Sequence, residues 1–582
     1  MREATALYRY IARYKITTIF GIVLVFAGGG FALVQPALLG AAVDNIQRLL
    51  NNQTTDNRIG LLIAVIMILA VAEGVVRFGY RFLITQMSRR VEFDMRAALF
   101  SHIQTLDQGY FQTIHTGDLM SRATNDLNQV RNFVGMGIGN VVNTVFFFVV
   151  AMILMFSISV PLALINLVVL PFVSIAFWVT GHQMHLRYQT VQAKFADLST
   201  HAQENFSGIR VIKAYVQEDL EIEEFAQKNR EYIKDNLKYV QLSGLLWPLM
   251  FLILGLADAF ILFVGAGEVI QGHISLGQFV QFNGYLLLLS WPMIALGWVV
   301  NLYQQGMASM TRILEVLNIK SKIESPVEPV VLDTVRGGIE FRNVGLKYGE
   351  VWALRHVSFD VPAGTSCAIV GPTGAGKTSL VNLLARVYDP QEGEVLLDGV
   401  PVARLSLTVL RRSLGYVPQD TFLFSLPLQE NIAFGVPQFT STEVEAATQT
   451  ARLSKDLPQI PGGLTAMIGE RGVTLSGGQK QRTAIARGVM RDPAVLILDD
   501  ALSSIDTQTQ SEILGQLRHV LEGRTSLLIS QRISTVKDCN QIVVLADGGV
   551  VERGTHQQLL QANGLYASMY RRELLSQELD ES

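Results

Sequence analysis

The chain has 582 residues, too many for one ordinary hydrophobic core, so at least two domains are expected. Charged residues make up 17% of it, against about 25% in typical soluble domains, while hydrophobic residues reach 49%. A formal net charge of −3 excludes the basic footprint of a nucleic-acid binder, and two cysteines, Cys367 and Cys539, build no disulfide framework and suit a reducing cytosol.

The apolar excess is confined to the first 305 residues or so. A hydrocarbon core of about 30 Å takes about 20 apolar residues per helix. Six stretches meet that length, at 17–43, 59–84, 133–158, 160–179, 242–270 and 276–300. The first is too long for a signal-peptide core and no small-residue cleavage site follows it, so it is read as retained. Ahead of it, Arg2, Arg9, Arg13 and Lys15 interleave with Tyr8, Tyr10 and Tyr14, a mixture suited to a short helix at the cytoplasmic interface. Basic residues concentrate after the second span (Arg89, Arg90, Arg96, Arg122) and after the fourth (Arg187, Lys194, Arg210, Lys213). By the positive-inside rule these loops, both termini and everything beyond residue 305 are expected in the cytoplasm of a cell with this chain in its inner, cytoplasmic membrane.

The two basic loops, about 87–131 and 181–240, are long and polar with helical periodicity, and read as helices running out of the bilayer. Within the spans, Glu73 and Arg77 sit four apart and are expected to neutralise each other. Asp258 stands mid-span with no charged neighbour in sequence, which points either to a wet, substrate-linked site or to a structural hydrogen bond. Trp247, Phe251 and Trp291 are read as packing residues, with a pocket wall as the alternative.

Pro326 and Pro329 mark a linker, and from about residue 338 short β-rich runs separated by Gly turns take over. The apolar run 366–370 leads straight into Gly371-Pro372-Thr373-Gly374-Ala375-Gly376-Lys377-Thr378-Ser379, which matches the phosphate-loop pattern G-x-x-x-x-G-K followed by Ser or Thr. Such a loop aims backbone N–H groups at phosphates, presents a helix N-terminus to them, neutralises the β- and γ-phosphates with Lys377 and offers the Thr378 hydroxyl to Mg²⁺. A second apolar run, 494–498, ends in Asp499-Asp500, and Asp499 is placed to reach Mg²⁺ directly or through water.

Together with Leu475-Ser476-Gly477-Gly478-Gln479, these motifs resemble the nucleotide-binding domain of ATP-binding cassette (ABC) transporters. The segments 111–126 and 204–215 likewise resemble the two intracellular loops of ABC exporters, where short coupling helices dock on the ATP-binding domains. The resemblance covers the whole chain and implies a membrane domain of six transmembrane helices with long cytoplasmic extensions at 1–320. A linker follows at 321–337, then an α/β P-loop NTPase domain with a helical subdomain at 338–572 and an acidic C-terminal tail at 573–582. It implies that Tyr348 stacks on adenine and that Gln419 contacts Mg²⁺. Ser476, Gly477, Gly478 and Gln479 would face the γ-phosphate of an ATP held by a partner domain, Glu470 would lie beside the coupling helices, and Asp506 would link the two sites. The cofactors implied are ATP and Mg²⁺.

Where the family usually carries Glu and His, this chain has Asp500 and Gln531. Asp is one methylene shorter than Glu, and misplacement of about 1 Å can cost roughly a hundredfold in rate. Gln531 keeps a hydrogen-bond donor but lacks the imidazole's charge and proton. The expectation is a half-transporter that pairs with a different half-transporter in membrane lipid, binds ATP well and hydrolyses it poorly at its own site, and moves a hydrophobic or amphipathic drug, lipid or peptide. A homodimer hydrolysing slowly through Asp500 and an ATP-gated regulatory or channel-like subunit are the alternatives.

Overall fold

The computed structural model describes residues 2–51, 58–469, 472–503, 505 and 507–581, and it divides into two compact units: Met1–Gln104 with His115–Ile319, and Thr105–Ile114 with Lys320–Ser582. Glu470, Asp506 and the side chain of Trp291 lie outside the described set.

The first unit is helical throughout. A short helix α1 (Arg2–Ala12) precedes α2 (Lys15–Leu50) and α3 (Ile59–Ile103); α4 (Gln108–Thr113) belongs to the second unit, and the chain returns through α5 (Thr116–Ser121), α6 (Leu127–Asn132) and α7 (Ile138–Ile158). Then come α8 (Val160–Ser207), the short α9 (Ile209–Tyr215), α10 (Glu218–Ile270) and α11 (Leu276–Leu317). α10 has 53 residues. At 1.5 Å per residue that is about 80 Å, far longer than a bilayer core of about 30 Å, so it extends well beyond any span it makes. Among the described residues, four helical stretches are long and apolar enough to cross a membrane: Lys15–Leu50, Ile59–Ile103, Thr116–Ile158 and Glu218–Ile270. The other two expected spans lie on α8 and α11, several of whose side chains are not described. Ile63, Met67, Val71 and Phe78 stay exposed along α3, as a lipid-facing stripe requires.

Polar residues in this unit have found long-range partners. Gln35 Nε2 donates to Glu73 at 2.8 Å, closer than Arg77 at 4.0 Å, so Glu73 is held first by α2 and only weakly by its helical neighbour. Asn283 Nδ2 donates to Asp258 at 2.7 Å and ties α10 to α11, so the structural hydrogen bond is present, on a carboxylate that stays exposed. Two π-helical turns, Arg122–Asp126 and Phe133–Gly137, interrupt the path from α5 to α7. Around the first, Asp126 accepts from Ser309 at 2.9 Å, while Asp118 accepts from Arg122 at 2.8 Å and Arg312 at 2.7 Å. The Asp118 carboxylate is thus spent inside this unit, and of the exporter-like segment 111–126 only its start, up to Ile114, groups with the second unit.

The second unit is α/β. A four-stranded antiparallel sheet has the order β2 (Val351–Val361), β1 (Ile339–Tyr348), β4 (Glu392–Leu397), β5 (Val400–Pro401). A six-stranded sheet has the order β10 (Gly549–Gly554), β9 (Gln541–Ala546), β3 (Ser366–Val370), β8 (Thr525–Ile529), β7 (Val495–Asp499), β6 (Leu414–Val417), parallel except at the β9–β10 edge. Both faces of this sheet are covered, which is why its strands read as unbroken apolar runs. In β3, Cys367 and Ile369 enter the core shared with the antiparallel sheet and α12 (Lys377–Leu384), while Ala368 and Val370 enter the core of the helical side; β7 divides Val495 and Ile497 from Leu496 and Leu498 in the same way. The helical side contains α14 (Leu428–Ile432), α15 (Ser441–Thr450) and α16 (Gly477–Met490), between α13 (Leu407–Ser413) and α17 (Thr507–Leu521); α18 (His556–Ala562) and α19 (Leu565–Glu581) close the chain. Residues 573–581 therefore continue α19 instead of forming a separate tail, and the Glu573 carboxylate accepts from the backbone N–H of Ile533 at 2.6 Å and of Ser534 at 3.3 Å.

Candidate functional site

Open parallel sheets bind ligands in the crevice beyond the carboxyl ends of their strands. β3, β8 and β7 are neighbours in register, so the loops that follow them emerge side by side. They enclose a cavity of about 330 Å³ whose wall includes Tyr348, residues 373–379, Gln419, Asp499, Asp500 and Gln531. Gly371 and Pro372 stand just behind it, at the root of the loop.

The loop is possible only with glycine at two points. Gly371 has φ +151°, and a Cβ there would come within 2.1 Å of the Leu545 carbonyl oxygen. Gly376 has φ +93°, and its Cβ would meet the Ala353 carbonyl at 2.5 Å. Between these turns the backbone swings round so that α12 starts at Lys377 with its N-terminus on the cavity. Lys377 is buried, and its ammonium donates to the Gly371 and Pro372 carbonyls, each at 2.8 Å. Burial lowers its pKa, against the pull of Asp500 and Asp499. Such a partly desolvated cation gains more from an entering phosphate than from neutral carbonyls.

Thr378 Oγ1 donates to Asp499 at 3.1 Å, so the hydroxyl and the carboxylate are neighbours as one cation's ligands must be. Burial pushes the Asp499 carboxyl upward, partly countered by hydrogen bonds from Thr378 and Tyr416. Tyr416 was passed over in the sequence although it lies in the same segment as Gln419. Its β6 position pairs with Ile497, two residues before Asp499, and its hydroxyl reaches Asp499 at 3.4 Å. That register comes from strand pairing, so no local sequence signal singles Tyr416 out. Asp500 sits at φ +48°, a backbone region in which Asp and Asn are enriched among non-glycine residues, and accepts from Gln419 Nε2 at 3.4 Å. Gln531 follows β8, the strand paired with β7, and joins the same cavity wall.

Tyr348 ends β1, packs edge-on against Tyr388 with centroids 5.4 Å apart, and donates to Ser379 at 3.3 Å. The ring is 38% exposed, which leaves a face for a planar base. Ser476, Gly477, Gly478 and Gln479 are not part of this cavity. They open α16, where the Ser476 hydroxyl accepts from the Gln479 N–H at 3.3 Å and the Gln479 side chain accepts from the Ser476 N–H at 3.0 Å. This capping box fixes the turn. Ser476→Ala would therefore lose a cap of about 0.5–2 kcal/mol as well as any ligand contact, and Gly478 is the cleaner position to probe.

In the first unit, a cavity of about 610 Å³ is lined by Arg77, Tyr80, Arg81, Asn140, Trp247 and Trp298 among others. It unites Trp247 with guanidinium groups; Phe251 is 69% exposed and outside that wall.

For this geometry, the ABC transporter transmembrane region family matches residues 18–293 and the ABC transporter family matches residues 354–503. A probable multidrug resistance ABC transporter ATP-binding/permease protein, YheI of Bacillus subtilis, is 36% identical over 97% of this chain and 96% of its own length. An ATP-dependent lipid A-core flippase of Desulfotalea psychrophila is 32% identical over 97% and 98%. A bacterial Atm1-family ABC exporter solved with ATP bound superimposes with a TM-score of 0.78 at 27% identity, covering 96% of this chain and 99% of that one.

Proposed function

Given that this chain belongs to the ABC transporter family and is an ATP-driven, membrane-embedded exporter of its multidrug and lipid type, we propose that it is one half of a heterodimer and contributes the weakly hydrolysing ATP site. One observation carries this reading: the phosphate-loop residues 373–379, Lys377 and Thr378 among them, and Asp499 share one cavity with Asp500 and Gln531 in the two positions where the family usually has Glu and His. The groups that hold a nucleotide are in place; those that orient and deprotonate water are shortened or changed.

ATP would seat its phosphates on the 371–376 loop and the start of α12, with adenine on Tyr348. The donors Thr378, Asp499 and Gln419 are all oxygen ligands around a buried carboxylate, which fits Mg²⁺, a hard cation that prefers oxygen. Mg²⁺ would supply charge neutralisation to the β- and γ-phosphates. Lys377 shifts from the loop carbonyls to phosphate, Gln531 offers an amide N–H towards the γ-phosphate, and Asp500 stands where a water must be held. The Ser476 and Gly478 turn would complete the partner's site across a head-to-tail dimer. Binding of both nucleotides would close the pair and turn the membrane cavity outward, and hydrolysis at the partner's site would reset it. The mixed aromatic and guanidinium wall of the membrane cavity suits an amphipathic substrate, in line with what the multidrug and lipid-flippase names say of the relatives. Both termini and the ATP-binding unit would be cytoplasmic.

The decisive experiment is steady-state ATPase of the purified chain alone and with a half-transporter that carries Glu and His at the two matching positions. Turnover that needs the second half-transporter is the expected result. Equal turnover by the chain alone would establish the homodimer, which the placement of the Asp500 carboxylate in the cavity favours as second reading. Lys377→Ala should weaken ATP binding at this chain's site roughly ten- to hundredfold, the worth of a charge-assisted contact of about 1.5–3 kcal/mol, with only partial loss of turnover by the pair. Labelling of each subunit with a photoreactive ATP analogue reads this directly, and an unchanged signal on this chain would refute the role given to Lys377.

A further inference from the structure

We propose that the arm formed by the cytoplasmic ends of α8 and α10 carries a binding site for a divalent transition metal, of the Zn²⁺ class, built from His201, Glu221 and Glu224. α8 and α10 are joined only by α9 and the few residues beside it, so position 201, near the end of one, lies against the first turns of the other. Glu221 and Glu224 are three apart on α10 and so share a face. One ligand atom from each of the three residues lies within 4.8 Å of the others.

One pair of the three already has the spacing of a tetrahedral ion's ligands, and Glu224 has only to close in from within 4.8 Å. Zn–N and Zn–O bonds of about 2.0–2.2 Å set neighbouring ligand atoms about 3.4 Å apart. His201 Nε2 and Glu221 Oε2 are 3.4 Å apart. The imidazole is only 7% exposed, and its ring stacks on Phe225 at 6.3 Å and 20°, which fixes its plane before any ion arrives. Asn205 Nδ2 donates to Glu221 Oε2 at 2.9 Å and to the His201 carbonyl at 3.0 Å and lies 3.4 Å from His201 Nε2; an ion would replace the last contact, and the first would go on orienting the ligating carboxylate. A cation already sits near the third ligand, since Lys228 Nζ lies 3.2 Å from Glu224. Beside the cluster is a cavity of about 580 Å³ whose wall mixes Asp197, Glu204 and Glu231 with Lys194 and Lys228, Lys194 being paired with Glu231 at 2.7 Å, and through it an ion could reach the site. An imidazole among carboxylates favours zinc, cobalt or nickel over magnesium or calcium.

Bound metal would cross-link α8 to α10 one to two turns behind α9, whose Ile209, Val211 and Tyr215 are exposed. The arm would stiffen. If α9 is a coupling helix, as the proposed function requires, the ion would slow turnover without touching ATP binding; the metal site itself does not depend on that reading.

The test uses the full chain in lipid nanodiscs, free of polyhistidine tags and without nucleotide. Co²⁺ is titrated while visible d–d absorption is recorded, and Zn²⁺ is titrated by calorimetry. One ion per copy of this chain is expected. His201→Ala and the double change Glu221→Gln with Glu224→Gln should each weaken binding about tenfold or more. Lys228→Gln should tighten it, because a competing ammonium is gone, and His185→Ala on the same helix should leave it unchanged. Photolabelling with the ATP analogue checks that each variant is folded. No saturable binding by the unaltered protein, or His201→Ala binding as tightly as the unaltered protein, overturns the proposal. Intact metal binding with no Zn²⁺ effect on ATPase keeps the site and removes only its link to coupling.

Discussion

Gly478→Glu in this chain is expected to abolish most ATPase activity of the assembled pair, while Asp500→Asn leaves the bulk of it. Gly478 lies in the first turn of α16, where a backbone N–H at a helix N-terminus can face a phosphate. The substitution keeps the backbone N–H but sets a bulky, repelling carboxylate where the phosphate would meet it, and a donor lost in this way to developing transition-state charge costs about 10²–10³ in rate. Because the turn stands outside its own chain's cavity, the damage should appear at the partner's nucleotide. Asp500, by contrast, would serve a site that already turns over slowly. Steady-state ATPase of both variants beside the unaltered pair is the measurement. A loss with Asp500→Asn as deep as that with Gly478→Glu would make Asp500 a working catalytic residue and remove the case for asymmetry.

Restoring the two unusual positions should have the opposite sign. Asp500→Glu with Gln531→His is expected to raise hydrolysis at this chain's own site on the order of a hundredfold, the factor attached to an error of about 1 Å in positioning. The experiment needs a partner whose own catalytic carboxylate has been neutralised, so that turnover comes from this site alone. Neither change by itself should recover the full effect, since in the proposed mechanism one would position water and the other would meet the γ-phosphate. The backbone sets a limit: φ +48° at residue 500 suits Asp better than Glu, at a cost on the order of 1 kcal/mol. No gain from the double change would mean that the slow site is set by more than these two side chains.

What the sequence could carry was local. The phosphate loop is a run of consecutive residues whose chemistry depends on backbone conformation, so Gly371, Gly376, Lys377 and Thr378 announce it without any knowledge of the fold. The apolar spans are legible for a similar reason, because bilayer thickness dictates a length that is counted along the chain. The departure at Asp500 and Gln531 was also visible, as soon as the neighbouring motifs supplied a register.

The tertiary structure decided everything that depends on residues far apart in sequence. The Tyr416 contact to Asp499 spans 83 positions and exists because β6 lies beside β7. Glu73 faced two candidates, and the packing of α2 on α3 gave it to Gln35 at 2.8 Å over Arg77 four residues away. Asp258 acquired Asn283, 25 residues on, because α10 meets α11. His201 and Glu221 look unremarkable when separated by nineteen residues of text; folding α8 back on α10 brings their ligand atoms to 3.4 Å. The physical reason is common to all four: a side chain's partner is chosen by which elements pack together, and that choice is made by the burial of apolar surface over whole helices and strands, which no short window of sequence contains.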